Sequence, residues 1–369
     1  MRKRSIVSSV LVIGLLAGCS SGAAPSSSSP EPVVEDMVYV AATAVPGSAH
    51  IATYAVPDAL GFFEEEGIRV EENFADGSTA SLQALASGSG DTTNSGMISV
   101  MSGSTKGLPV VGIASAAGVF PYRFAVPTAS KIKDIKDLGG TRIGVISLAS
   151  ESLAFAKVAL EEGGVDVASV SFIPIGAGGA PAVAALNNNE VDVLSLYGEA
   201  YVRLENEGLK LRYLKNPKLF DGVPGFGLTS TRTNLADRPD VLGRYARAVF
   251  KALVFVAVNP EAATEIGYEY YPERRPEPGK YDAQLAADSR VIATWVLGAI
   301  PEDRKKWPAK FGELTDEAFE TVVRIGQVGG FIVGDVDIDA VWTNQFSAVI
   351  NDFDWAEIEE LATNWTPNK

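Results

Sequence analysis

The chain has 369 residues, 46% of them hydrophobic, with 46 acidic against 31 basic side chains and a formal net charge of −15. That length is more than one core usually holds, and the acidity offers nucleic acid or an anionic lipid surface no basic face. A single histidine and a single cysteine exclude a zinc centre, which needs several such ligands.

The first segment reads as a leader. Arg2, Lys3 and Arg4 precede an apolar run, Ile6 to Leu16, too short for the roughly 20 residues a membrane span needs but suited to the core of a signal peptide. Leu16-Ala17-Gly18-Cys19 matches the bacterial lipobox, which implies cleavage after residue 18 and lipid on Cys19. An ordinary secretory signal with an incidental cysteine is the alternative. Loss of Arg2, Lys3 and Arg4 with the leader takes the net charge from −15 to −18. Residues 19–35 hold the lipidated cysteine and a Ser/Pro-rich tether, SSGAAPSSSSPEPVVE, with a reach of roughly 20–24 Å. After residue 19 no apolar stretch is long and unbroken enough to span a membrane.

From residue 36 the chain alternates short apolar strands with helical patterns, which predicts an α/β fold. GFFEEEGIRVEENF (61–74) reads as a helix end, a glycine and a strand, and ALEEGGVDVASVSFIPI (159–175) repeats that order. GSTASLQALASGSGDTTNSG (77–96) and GGAPAVAALNNNEVDVLSLYG (178–198) repeat a second pattern. In each, a glycine (Gly77, Gly178) lies eight residues before a leucine (Leu85, Leu186), and an aspartate (Asp91, Asp192) lies six residues after it. Two such units about 100 residues apart predict two similar α/β lobes. The strands of 110–127 carry the chain from the first lobe to the second, and FGLTSTRTNL (226–235) carries it back. The expected organisation is 36–123 for the first part of lobe 1, 124–226 for lobe 2, and 227–369 for the return and C-terminal helices. Two crossings make a hinge, and a ligand would sit in the cleft between the lobes. Pro239 and Asn259-Pro260 mark helix starts in the return.

At Ala59-Leu60-Gly61-Phe62-Phe63-Glu64-Glu65-Glu66-Gly67-Ile68-Arg69-Val70-Glu71 the chain resembles the substrate-binding lipoproteins of ABC importers in the nitrate/sulfonate/taurine and thiamine-pyrimidine-precursor group. Leu85-Ala86-Ser87-Gly88 with Asp91, Gly107-Leu108-Pro109-Val110-Val111, and Ile135-Lys136-Asp137-Leu138-Gly139-Gly140 add to it by their order. The resemblance spans roughly residues 37–265. It implies the type II periplasmic-binding-protein fold, a small-molecule ligand held in the cleft, an ABC permease as partner and no cofactor. A monomer is expected.

The resemblance maps candidate contacts onto helix starts near that cleft. In TRIGVISLASESLAFAKVALEEGG (141–164) a strand meets a helix through Ser147-Leu148-Ala149-Ser150-Glu151-Ser152. A helix N-terminus carries partial positive charge and unpaired N–H groups, so these hydroxyls make a polar socket of Ser147, Ser150 and Glu151, unless Ser150 simply caps the helix. Ser78 and Thr79 open a first-lobe helix, and Asn94-Ser95-Gly96-Met97 follow a strand. Tyr197, Gly198 and Glu199 hold the equivalent turn in the second lobe. By the same mapping His50 is either a ligand contact or an exposed loop histidine, and Tyr122 either stacks on a ring or packs at the hinge. Trp295, Trp307 and Trp342 fall in the C-terminal helices and read as packing residues.

Glu199 in a cleft would repel anions and favour N–H donors, whereas Arg123 would serve an anion if it faced the ligand. The expectation tips to a nitrogen heterocycle, such as a thiamine or pyrimidine precursor, over an aliphatic sulfonate, taurine or nitrate. An enzyme or surface sensor built on the same two lobes is the other class. A serine hydrolase would need His50 as its base, and neither G-x-S-x-G nor a phosphate-binding G-x-x-x-x-G-K-[ST] loop occurs.

Overall fold

The computed structural model describes residues 34–116, 120–297 and 311–367. The leader, Cys19, most of the tether and Trp307 lie outside the described residues. The body from Val34 onward is one compact unit. No helix among the described residues is long and apolar enough to cross a membrane.

Strand β1 (Glu35–Ala41) leads into a single helical turn, α1 (Ser48–His50), which continues as a π-helical turn over Ile51–Ala55. The G-F-F-E-E-E-G stretch then shows why it has its form. Gly61 and Gly67 hold φ of 75° and 66°, a region open mainly to glycine. Phe62 and Phe63 are buried, and Glu66 takes a bidentate pair from Arg247, Nε–Oε1 2.8 Å and Nη2–Oε2 2.6 Å. The motif is thus a structural clamp. Next come β2 (Ile68–Phe74), α2 (Gly77–Ala86), β3 (Thr92–Gly96), α3 (Met97–Thr105) and β4 (Val110–Ser115).

The second half repeats this order. It comprises β5 (Tyr122–Pro127), β6 (Arg142–Val145), α4 (Glu151–Glu162), β7 (Ser171–Pro174), α5 (Ala180–Asn187), β8 (Val193–Tyr197), α6 (Gly198–Asn206) and β9 (Leu211–Tyr213). The chain then re-enters the first sheet as β10 (Phe226–Thr231). One sheet runs β2-β1-β3-β10-β4 and the other β7-β6-β8-β5-β9. In strand order and direction β1 corresponds to β6, β2 to β7 and β3 to β8, each triplet parallel, while β10 and β5 each run antiparallel to their neighbours.

The repeated aspartates hold matching posts. Asp91 accepts the Val38 N–H at 2.8 Å and pairs with Arg238. Asp192 accepts the Arg142 N–H at 2.9 Å and pairs with the Arg142 guanidinium. Each carboxylate stitches the start of one strand to the strand beside it.

The longer helices that follow are α7 (Pro239–Val258), α8 (Pro260–Tyr270), α9 (Tyr281–Leu297), α10 (Asp316–Val328) and α11 (Trp355–Asn364). The largest apolar core lies between α7 and one face of the first sheet, with Met37, Tyr39 and Ala41 of β1 pointing into it. A second core joins Met97, Ile98 and Met101 of α3 to Phe124 and Phe155 of the second half and to Phe319, Val322 and Trp342. The C-terminal helices therefore pack on both halves: α10 lies on α3 and α4, while α9 lies on α6 and α1.

Candidate functional site

The chain passes from one sheet to the other between Ser115 and Tyr122 and returns between Tyr213 and Phe226. The carboxyl ends of β1, β3, β6 and β8 carry the loops that open α1, α3, α4 and α6. Open α/β sheets bind ligands at such strand ends, and here several helix N-termini share that edge.

The two halves meet at two carboxylates. Glu151, in the first turn of α4, reaches toward β3: a methyl group placed on Gly96 would lie 3.6 Å from both Glu151 Oε1 and Ser78 Oγ. Ser78 Oγ itself accepts the Gly96 N–H at 3.1 Å. Glu199, in the first turn of α6, lies near enough to Ser48 at the head of α1 for that hydroxyl to favour its charged form. Each carboxylate thus crosses from the second half to a helix or strand end of the first, and the two crossings occupy corresponding places in the repeat. Both side chains are half-buried.

Their electrostatics match. Burial disfavours the charged form and lifts Glu151 from 4.5 to about 7. No hydrogen bond or ion pair reaches its carboxylate among the described residues. Glu199 is also lifted to about 7 by burial, against the pull of Arg203 and Ser48. Tyr122 lies beside Glu151 and packs edge-on to Tyr197, ring centroids 6.4 Å apart. Burial, then the Glu151 charge, keeps the Tyr122 hydroxyl well above its ordinary range.

Ser78, Gly96, Tyr122, Glu151, Tyr197 and Glu199 therefore come together at the junction of the two halves, whereas the other proposed contacts lie differently. Ser147 and Ser150 turn their hydroxyls to their own loop: Ser147 Oγ accepts the Ala149 N–H at 3.3 Å, and Ser150 Oγ donates to the Ser147 carbonyl at 2.7 Å and meets Ser152 Oγ at 2.8 Å. Ser150 precedes α4 but makes no side-chain cap, because its oxygen accepts the Ser147 N–H at 3.1 Å instead. Ser95 points to the opposite face of β3, bonded to Ser81 at 2.9 Å and Thr93 at 3.2 Å. Met97 is buried in the second core. Both follow from strand alternation and helix phase, and they leave only backbone to a cleft ligand. Thr79 is exposed on α2.

His50 is not an exposed loop histidine. It is 2% exposed, packed against Tyr39 and Tyr54, which also pack on each other, and its Nε2 lies 2.7 Å from Glu72 Oε2 and 2.6 Å from the Tyr271 hydroxyl. Arg123 lies over the Tyr213 ring at 4.9 Å. Trp342 lies flat on Gly112 and Gly227 of the first sheet as a packing residue. Sequence reasoning missed Ser48. The signal was present, since Ser48 follows β1 as Ser150 follows β6. Among the described residues no group of three or more His, Cys, Asp or Glu side chains could hold a metal ion.

Residues 48–263 match the NMT1/THI5-like family profile. The chain is 26% identical to the riboflavin-binding protein RibY of Chloroflexus aurantiacus over 363 residues, covering 94% of this chain and 98% of that protein. It is 26% identical over 270 residues to the formylaminopyrimidine-binding protein of Halalkalibacterium halodurans, covering 72% and 78% respectively. Among solved structures, the periplasmic aliphatic sulphonate binding protein SsuA of Escherichia coli superposes with a TM-score of 0.61 at 17% identity, over 84% of this chain and 93% of that one. That likeness establishes the periplasmic-binding-protein fold.

Proposed function

The chain belongs to the NMT1/THI5-like family, and from that premise we propose that it is the extracytoplasmic solute-binding component of an ABC importer. It captures one small organic molecule between its two halves and presents it to a membrane permease. No bond is made or broken; closure of the halves and the cleft contacts do the selecting. Lipid on Cys19 would hold the body to the membrane through the Ser/Pro-rich tether, as a monomer.

The observation that carries the reading is the pair of carboxylates, Glu151 and Glu199, each reaching from a helix start in one half to the other half. A sulfonate, taurine or nitrate would bring negative charge to two groups already costly to ionise. A ligand with N–H donors relieves both, because each donor stabilises the carboxylate form. The cargo is therefore a nitrogen heterocycle of the pyrimidine-precursor or flavin kind. Two relatives named for binding riboflavin and formylaminopyrimidine support that class.

Glu199→Ala is expected to weaken binding of the heterocycle at least about tenfold, the scale of one charge-assisted hydrogen bond. Calorimetry with riboflavin, formylaminopyrimidine and taurine reads this directly, and unchanged affinity in the variant removes Glu199 from the site. Affinity for a donor-bearing ligand should also rise between pH 6 and pH 8, as Glu151 and Glu199 ionise near about 7. Flat affinity across that range contradicts donation to either carboxylate.

A further inference from the structure

Among the described residues, six side chains bury a polar atom that has no hydrogen-bond partner: His50, Thr92, Asn94, Asn216, Tyr245 and Trp295. Thr92 and Tyr245 face one another, and Asn216 uses its amide to hold the Tyr122 carbonyl at 3.0 Å. Asn94 is different, because both of its amide atoms are unpaired while the residue is 4% exposed. Buried amides in folded proteins nearly always find partners.

The direction of Asn94 follows from strand alternation. Ser95 and Thr93 turn toward α2, so Asn94 turns to the other face, the one that carries Tyr39, Ala41 and Leu228. Asn94 lies opposite Leu228, and Gly96, two residues nearer the strand end, lies opposite Phe226. Over that end sits Trp295 of α9, its ring 6.3 Å from Phe226 and its Nε1–H unpaired. The preceding Thr294 abuts Gly198 at the head of α6, next to Glu199. His50 stands on the same face, stacked on Tyr39. The Tyr271 hydroxyl donates to Glu72 at 2.7 Å, His50 Nε2 lies 2.7 Å from the same carboxylate, and Nδ1 is the ring nitrogen left without a partner.

We propose that Asn94 and Trp295 are ligand-reading residues, and that α9 thereby completes the binding cleft from the C-terminal part of the chain. This rests on the solute-binding reading above and deepens it. The Asn94 amide offers a donor and an acceptor in one plane, the pattern by which an asparagine reads the adjacent N–H and ring nitrogen of adenine. Trp295 adds a donor. The ligand edge complementary to that set carries alternating donors and acceptors, as in a lactam or an amino-substituted diazine. A sulfonate, which only accepts, leaves Asn94 Oδ1 unpaired, and sites of this kind reject such ligands strongly.

The test has two arms on the full protein. In the ligand-free arm, melting temperatures of Asn94→Leu and Trp295→Phe are compared with wild type. Removing an unsatisfied buried polar group for an apolar one of similar shape is neutral or stabilising, so Asn94→Leu should melt no lower than wild type, whereas Trp295→Phe also loses ring volume in the core and should melt somewhat lower. A clear drop for Asn94→Leu assigns the amide a structural role and overturns the proposal, whether or not any probe binds. In the binding arm, lumichrome, cytosine and ethanesulfonate are titrated. Asn94→Leu should weaken the bound heterocycle about 100-fold and Trp295→Phe about tenfold. A heterocycle bound equally well by wild type and Asn94→Leu overturns this inference alone; binding of ethanesulfonate with neither heterocycle overturns the cargo class as well.

Discussion

At the scale of single residues, the site turns on how much the fold pays to keep two carboxylates at its junction. Glu151 is lifted from 4.5 to about 7 by burial. The folded chain therefore holds a proton that the unfolded chain releases near pH 4.5. Its contribution to stability is full below pH 4.5 and is lost as pH rises through about 7. Glu151→Gln removes that titration, so the variant should melt close to wild type at pH 4.5 and above it at pH 8. Melting curves at the two values check this, and a difference that does not change with pH removes Glu151 as the buried titrating group. The sequence supported Glu151 and Glu199 because each falls in the first turn of a helix after a strand. It could not reveal that Ser147 and Ser150 consume their own hydroxyls, since a hydroxyl's partner depends on a loop conformation that residue identity leaves open. The burial of His50 was equally hidden: Tyr54 is one turn away, but Tyr39, Phe74 and Tyr271 arrive from three other segments.

At the scale of elements, the repeat in the sequence is a repeat in space. The glycines placed eight residues before Leu85 and Leu186 both adopt positive φ, 87° at Gly77 and 112° at Gly178. Asp91 and Asp192 make the same strand-to-strand stitch. These features were legible because each is local, a turn residue or a strand start at a fixed spacing. The placement of the C-terminal helices was not legible, because α9 and α10 are positioned by side chains up to 250 residues away in the chain. Trp342 illustrates this, since its indole lies on the first sheet where β4 and β10 carry glycines. A Cβ on Gly112 would come within 2.0 Å of that ring. Gly112→Ala should therefore destabilise by about 1–3 kcal/mol, the usual cost of overpacking, as read by urea denaturation. A variant as stable as wild type would mean that Trp342 is not seated there.

At the scale of the whole molecule, the two halves share an apolar core through α3, α4 and α10, and the carboxylates bridge them at the cleft. A ligand seated between such halves is coupled to the packing of both, so its binding should stabilise the body as a unit. A ligand at 100 times its Kd adds about 2.7 kcal/mol, worth several degrees in a protein of this size. The measurement that tests the account most directly is a thermal-shift screen of the protein against pyrimidines, flavins, aliphatic sulfonates and nitrate. The account predicts an upward shift of several degrees with a donor-bearing heterocycle, stronger at pH 8 than at pH 6, and none with the sulfonates or nitrate. A shift with a sulfonate or nitrate and none with any heterocycle would contradict it.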